Sequence, residues 1–270
     1  MLANDINKPS DIQEYINNEN YTIEQKMDGH RILIKIDNGE ITEVWNRKGE
    51  RSQHYQTMTS SSWQDDVHPL GSLILDGELI GDKLYCFDMP YLVGTISLHT
   101  AHHYRKLALD LLFEHLGGDE ASNHLKRVNS AVDKDEKLKL VVRCHQQKAE
   151  GVVIKDRNAP YVQEKTDKML KMKFTSNADV VIIGTGIKGK ESASLGVYNM
   201  FGELKDIGRC SLIGKEEVVP GDVIEVEYLY ATDKLRLVQA RMKFKREDKA
   251  PEDCHISQIK ISNSKEVVYL

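Results

Sequence analysis

From Tyr21 the chain alternates apolar and polar positions through YTIEQKMDGHRILIKI, turns at DNGE, and alternates again through ITEVWNRKG. Asn38-Gly39 between two such runs is a strong hairpin signal. LILDGELI and KLYCFDMPYL repeat the pattern on either side of Gly81-Asp82, which predicts a second strand pair. In HHYRKLALDLLFEHL the apolar residues Leu107, Leu111, Leu112 and Leu116 have helical spacing, and Gly117-Gly118 ends the segment. A short capped helix is expected from near Ser10, and another around Lys134 to Lys139. EGVVIKD and KMLKMKF read as two further short strands.

After Asn177 the texture changes. ADVVIIGTGI, ASLGVYNM, GELKDIGRC, DVIEVEYLYA and KLRLVQARMKF are short strands separated by Gly, Pro or Asp turns. Five strands at this spacing, with almost no helix, suit a small barrel such as an OB-fold. The expected fold class is therefore α+β: an antiparallel-sheet domain over residues 1–176, then a C-terminal all-β OB-fold barrel over 177–270.

Composition adds bounds. With 270 residues, 40% of them hydrophobic, the chain has material for two cores. A formal net charge of −5 argues against coating nucleic acid by bulk charge and leaves local basic surfaces open. Cys86, Cys144, Cys210 and Cys254 form no CxxC pair and read as reduced thiols. No basic, apolar leader opens the chain, and no run reaches the length of a membrane span. These features predict a cytoplasmic protein without membrane contact.

Charged residues interrupt the apolar runs at particular places. Lys26 precedes Asp28-Gly29, and the glycine allows a tight loop and close backbone approach to a ligand. An amine is a nucleophile only when deprotonated, so a catalytic lysine needs nearby positive charge or desolvation. Asp76 and Glu78 share one face of an apolar strand, where carboxylates are costly unless bound to something. Glu150 and Lys155 stand at the ends of another apolar strand, and Lys171 and Lys173 share a face of the next.

K-M-D-G at Lys26 to Gly29, D-G-E at Asp76 to Glu78, E-G-V-V-I-K at Glu150 to Lys155 and L-K-M-K at Leu170 to Lys173 resemble the successive motifs of covalent nucleotidyltransferases. R-E-D-K at Arg246 to Lys249 resembles the last motif of ATP-dependent DNA ligases within that superfamily, in a minimal phage or bacterial form. The resemblance implies a nucleotidyltransferase (adenylation) domain followed by the OB-fold domain, acting on nicked duplex DNA as a monomer through a lysyl-AMP and an AMP-capped 5′-phosphate. Such an enzyme serves DNA replication, repair and recombination, in the host cytoplasm if phage-encoded. It implies that Lys26 is the nucleophile that takes AMP from ATP, and that Glu24 faces the adenine amine. Arg31 and Arg47 would bind the nucleotide and then the nick. Glu78 would hold the ribose and Phe87 would stack on the base. Lys171 and Lys173 would neutralise the α-phosphate, while Arg246, Asp248 and Lys249 would orient the pyrophosphate. Glu150 would help to place Mg²⁺, for which Mn²⁺ could substitute, with Asp76 as a second metal candidate. Arg105, at the start of the helix after the phenylalanine motif, would contact DNA.

Lys234, Arg236, Arg241, Lys243, Lys245 and Arg246 have alternate spacing in and after one strand, as expected of a phosphate-binding groove; Lys243 and Lys245 are candidate DNA contacts. Gly184 to Gly189 satisfies G-x-G-x-x-G but opens no helix, so it reads as a barrel turn. His99, His102 and His103 have no acidic partner nearby in sequence and read as solvated. DKDEKLKLVVRCHQQK reads as a solvated helical face. An RNA ligase or a capping guanylyltransferase is the alternative within the superfamily, and a non-catalytic OB-fold nucleic-acid-binding protein is the alternative outside it.

Overall fold

The structure is a computed structural model that describes residues 2–6, 12–118, 122–187 and 190–260. It divides into two units, Met1–Met172 and Lys173–Leu270.

In the first unit the chain order is β1 (Leu2–Asp5), α1 (Ile12–Ile16), β2 (Tyr21–Lys26), β3 (His30–Asp37), β4 (Glu40–Asn46), α2 (Tyr55–Met58) and α3 (Ser61–Val67). There follow β5 (Leu73–Ile80), β6 (Lys83–Leu92), α4 (His102–His115), β7 (Leu125–Arg127), β8 (Ser130–Ala131), α5 (Lys134–Gln146), β9 (Gly151–Asp156) and β10 (Lys165–Lys173). The strands make two sheets, ordered β1-β10-β9-β2-β8 and β4-β3-β5-β6-β7. The apolar run that began at Tyr21 is thus two strands, and the chain crosses from one sheet to the other through Met27-Asp28-Gly29. Gly29 is required at that crossing, because a Cβ there would lie 2.4 Å from the Leu79 carbonyl oxygen.

Alternation decides which sheet face is dry. Ile32, Ile34 and Ile36 of β3 point with Leu73 and Leu75 of β5 toward Trp63, Leu109 and Phe113 from the helices, forming the main core. Asn38 and Gly39 both have positive φ (50° and 81°), the geometry of a two-residue hairpin turn between β3 and β4.

In the second unit β11 (Ser176–Ile187), β12 (Lys190–Tyr198), β13 (Leu204–Ser211), β14 (Val223–Tyr228) and β15 (Arg241–Lys245) surround a core that includes Val180, Leu195, Ile207, Val226 and Tyr228. Among the described residues no helix is long and apolar enough to cross a membrane.

Several expectations are corrected. The first-unit sheets are mixed, not antiparallel, since β1 pairs with β10 and β6 with β7 in parallel. The five strands of the second unit form a closed barrel in the order β11-β12-β13-β15-β14, with four antiparallel ladders and one parallel contact of β13 with β15 at the single pair Ser211–Arg241; the expected last strand, KLRLVQARMKF, is corrected. The cause is local. The segment from Lys234 to Ala240 is not a strand, and Leu235 and Gln239 have positive φ (61° and 53°), so β15 begins only at Arg241 and little of it is left to pair. Two 3-10 turns, Pro251–Asp253 and Ile256–Gln258, follow it.

On α4 the predicted apolar stripe is partly reversed. Leu107 and Leu111 are each 53% exposed, whereas His102, Arg105 and Lys106 are buried with Leu109 and Phe113. α5 is longer than expected and only partly solvated, with Lys137, Leu140 and Cys144 buried. The Lys137 ammonium donates to the carbonyls of Tyr15 (3.2 Å) and Asn18 (2.7 Å), at the end of α1. The predicted start of the first helix near Ser10 lies outside the described residues, as do Lys188 and Gly189 of the glycine-rich segment and residues 261–270 of the tail.

Candidate active site

The two sheets of the first unit face each other across a cavity of about 210 Å³. β2 supplies Glu24, Gln25 and Lys26, and the crossing loop supplies Met27 and Gly29. Arg31, Glu78 and Phe87 enter from β3, β5 and β6, while Val153 and Lys155 come from β9 and Lys171 from β10. Arg47 reaches the same cavity from the turn after β4. Asn46 fixes that turn, its side-chain oxygen accepting from the backbone N–H groups of Lys48 (2.8 Å) and Glu50 (3.2 Å).

Register explains the convergence. Lys26 stands opposite Gly151, which places its ammonium against the neighbouring Glu150, and the two form an ion pair. Glu24 stands opposite Val153, so Lys155 is its diagonal neighbour on the same sheet face. Lys155 donates to Glu24 Oε2 at 2.6 Å and to the Phe87 carbonyl at 3.1 Å, and its nitrogen lies 4.7 Å from the centre of the Phe87 ring. Burial pushes the Glu24 carboxyl upward, but Lys155, with His102 beside it, outweighs burial and holds it down at about 2.

On the facing sheet Arg31 stands opposite Glu78. Its guanidinium grips Asp76, with Nε to Oδ1 at 3.0 Å and Nη2 to Oδ2 at 2.6 Å. Tyr161 also donates to Asp76, at 2.7 Å. Burial disfavours charge on Arg31, yet the Asp76 carboxylate more than restores it and raises its pKa. Glu78 differs from the other carboxyls: burial lifts it to about 7, against the pull of Lys26 and the Gly29 N–H, and with a further push from Asp76.

Asp76 is therefore corrected as a metal candidate, because its carboxylate is fully buried and committed to Arg31 and Tyr161. Arg105 is corrected as a DNA contact. It is fully buried, grips both Asp88 oxygens (2.8 and 3.0 Å), and donates to the carbonyls of Thr100 and Ala159. The histidines are corrected too: His102 is 1% exposed and faces Glu24, while His103 makes a 2.7 Å contact with the Arg157 carbonyl. Lys155 stood in a recognised motif without a role, although a lysine ending an apolar strand is itself the signal of a buried partner.

Lys173 belongs to the second unit, where its ammonium donates to the Gln239 side chain at 3.0 Å. So do Arg246, Asp248 and Lys249. Arg246 holds Asp248 at 2.7 and 2.8 Å, and Arg246 and Lys249 both bind Asp179, at 2.9 and 2.7 Å. Two members of the basic series preceding them are paired with carboxylates, Arg236 with Asp206 and Lys245 with Asp222.

Among the described residues no group of three or more His, Cys, Asp or Glu is placed to hold a metal ion. A hard cation that arrives with nucleotide phosphates needs only one or two protein carboxylates. Glu150, beside Lys26, fits that lesser requirement.

A second cleft, about 660 Å³, lies along the same face of the β4-β3-β5-β6 sheet and shares Arg31 and Arg47 with the first. Leu33, Trp45, Ile74 and Tyr91 pave it, Tyr161 closes one side, and Lys48 stands at its edge.

Residues 1–83 match the family model described as the ATP dependent DNA ligase domain. No curated protein sequence matches the chain. Among solved structures, one described as Pmar-Lig_Pre is similar at 20% identity and a TM-score of 0.64, over 92% of this chain and 67% of that one. A Lig E DNA ligase, described as binding DNA with a minimal scaffold, is similar at 17% identity and a TM-score of 0.59, over 91% and 98% of the two chains. The ligase domain of LigD from M. tuberculosis is 22% identical with a TM-score of 0.50, over 87% and 92%. Residues 1–83 thus match the ATP-dependent DNA ligase domain, as the motifs suggested, and the chain shares its fold with solved DNA ligase structures.

Proposed function

We propose that this chain is an ATP-dependent DNA ligase that seals nicks in duplex DNA through AMP carried on Lys26. The observation that carries the reading is the convergence of Lys26, Glu24, Arg31, Glu78, Phe87 and Lys171 on one cavity, most of them within the segment that matches the ligase domain.

The chemistry suits these groups. In the first step the Lys26 nitrogen attacks the α-phosphorus, a phosphoramidate bond forms, the bond to the β-phosphate oxygen breaks, and pyrophosphate leaves. The ammonium must first lose its proton, and the Glu150 carboxylate against it is the adjacent acceptor. Phosphoryl transfer is accelerated mainly by in-line positioning and by charge that stabilises the equatorial oxygens. Lys171 and Arg31 are among the cations on the cavity wall. Mg²⁺, held by Glu150 and the phosphates, would add Lewis-acid charge at those oxygens. Next, a 5′-phosphate oxygen at the nick takes AMP from Lys26. Finally the 3′-hydroxyl attacks that phosphate, and AMP leaves. The second cleft, with Arg47 and Lys48 beside Trp45 and Tyr91, offers cations for a strand backbone and flat apolar surface for sugars and bases.

Glu78 gives a pH signature. Its pKa in the folded protein, about 7, lies above the ordinary 4.5, so the native state binds the extra proton between these values. Glu78 therefore subtracts stability as pH rises through that window. As the acceptor for ribose hydroxyls it must be ionised, so affinity for ATP falls as pH drops below about 7, and Glu78→Gln flattens that dependence. Equilibrium binding of ATP across this range checks it; an unchanged slope in the variant contradicts the role.

Sealing of a nicked duplex with ATP and Mg²⁺, with DNA or RNA on each side of the nick, tests the whole reading. Sealing of all-DNA nicks supports it, and activity confined to RNA strands or to GTP contradicts it.

A further inference from the structure

Three buried polar atoms around Glu24 lack a hydrogen-bond partner among the described residues: Glu24 Oε1 and both ring nitrogens of His102. His102 Nε2 and Glu24 Oε1 face each other at 3.7 Å, beyond hydrogen-bond reach, and their side chains are 1% and 2% exposed. Unsatisfied atoms on a buried ion and its neighbour are costly, and they cluster where a ligand completes the set. Glu24 lines the cavity that contains Lys26, whereas His102 stands behind it, outside the lining.

We propose that His102 is a positioning residue that holds the Glu24 carboxylate for the exocyclic amine of the nucleotide base, so that the base is read through a Glu24–His102 pair. The inference rests on the reading of this cavity as a nucleotide site and goes beyond it in naming a residue that never touches the ligand.

The other charged neighbours of His102 are already engaged. Lys155, on β9, is spent on Glu24 Oε2 and the Phe87 carbonyl. Asp88, on β6, has both oxygens taken by Arg105, and Lys106 is paired with Asp110 at 2.8 Å. Glu24 Oε1 is the acceptor that remains. Its negative charge selects the tautomer with hydrogen on Nε2, and burial favours the neutral ring by lowering the pKa of His102. The ring is also anchored: His102 is the first residue of α4, and its backbone N–H donates to the Ala159 carbonyl at 2.9 Å.

A carboxylate oxygen has two lone pairs. When a base amine approaches Oε1 from the cavity, a short movement brings His102 Nε2–H onto the second lone pair, and the two donors fix the carboxylate plane. A base that presents a keto oxygen there meets a fixed negative charge and is rejected, and one that lacks the amine leaves the oxygen unsatisfied.

The test measures lysyl-AMP formation with ATP and with purine riboside triphosphate, which carries hydrogen in place of the amine. Wild-type protein is compared with His102→Leu and His102→Gln. The preference for ATP, as a ratio of kcat/KM values, is expected to fall about tenfold in His102→Leu and to stay within about twofold of wild type in His102→Gln, which keeps a donor. A ring that merely filled space would lower both substrates alike; an unchanged ratio in His102→Leu overturns the proposal. If wild-type protein forms no adduct with ATP, the ligase reading fails separately, and the same ratio is then taken from equilibrium binding of the two triphosphates. If His102→Leu does not fold, ¹⁵N spectra of the wild-type ring decide. Hydrogen on Nε2, with a shift on adding ATP and none on adding purine riboside triphosphate, supports the pair; hydrogen on Nδ1 overturns it.

Discussion

Replacing Lys26 with arginine abolishes transfer of label from α-labelled ATP to the protein and leaves the fold in place. The cation beside Glu150 survives this change, so the ion pair and the end of β2 remain supported. What disappears is the nucleophile, because a guanidinium keeps its proton under all working conditions. Lys26→Ala gives the same loss of adduct with an added cost in stability on the order of 1–3 kcal/mol, as the buried Glu150 carboxylate loses its cation. Denaturant melts and adduct assays on both variants separate the two effects. Normal adduct formation by either variant places the chemistry on another residue.

Replacing Arg105 with alanine destabilises the first unit by about 3–5 kcal/mol, the range for breaking one side of a buried pair. Arg105 is wholly buried, and its loss strands the Asp88 carboxylate and two backbone carbonyls together. Asp88 is held at about 2: burial acts to raise it, and Arg105, with help from Lys155, overcomes burial. The stabilisation belonging to Asp88 is therefore present above its ordinary value of 3.8 and is lost as pH falls toward 2. Arg105→Met paired with Asp88→Leu recovers much of the loss, since a buried ion pair can be replaced by packed apolar groups. Urea unfolding measures both. A surface residue gripping DNA would behave otherwise, with stability unchanged and the salt dependence of DNA binding reduced.

The difference between these two arginine-and-lysine stories shows what local sequence conveys. Lys26 and Glu78 were legible because their motifs are short, polar and set in strands whose period is plain, and Glu150 because it immediately precedes one. The β3–β4 hairpin was legible from Asn38-Gly39, which the positive φ angles require. Helical spacing misjudged α4, because burial there depends on partners that arrive from other strands. Asp88 from β6 makes Arg105 a buried residue, and Glu24 from β2 stands against His102. A periodicity argument sees the polarity of a side chain and cannot see its neutralising partner. The same limit explains the second unit. Apolar residues between Lys234 and Ala240 read as strand, but Leu235 and Gln239 adopt positive φ, and the seam between β13 and β15 shrinks to one pair. The basic series there read as a free phosphate-binding face, while Asp206, Asp222 and Asp179 already hold several of its members.

On the proposed reading AMP passes from ATP to Lys26 and then to DNA. Protein charged with α-labelled ATP and Mg²⁺, freed of nucleotide and mixed with excess nicked duplex, follows that path in a single turnover. Label is expected first on the protein, then transiently on the 5′-phosphate at the nick, then as free AMP in step with sealed strand. Sealing without label on the protein, or label that remains on the protein while strands are joined, contradicts it.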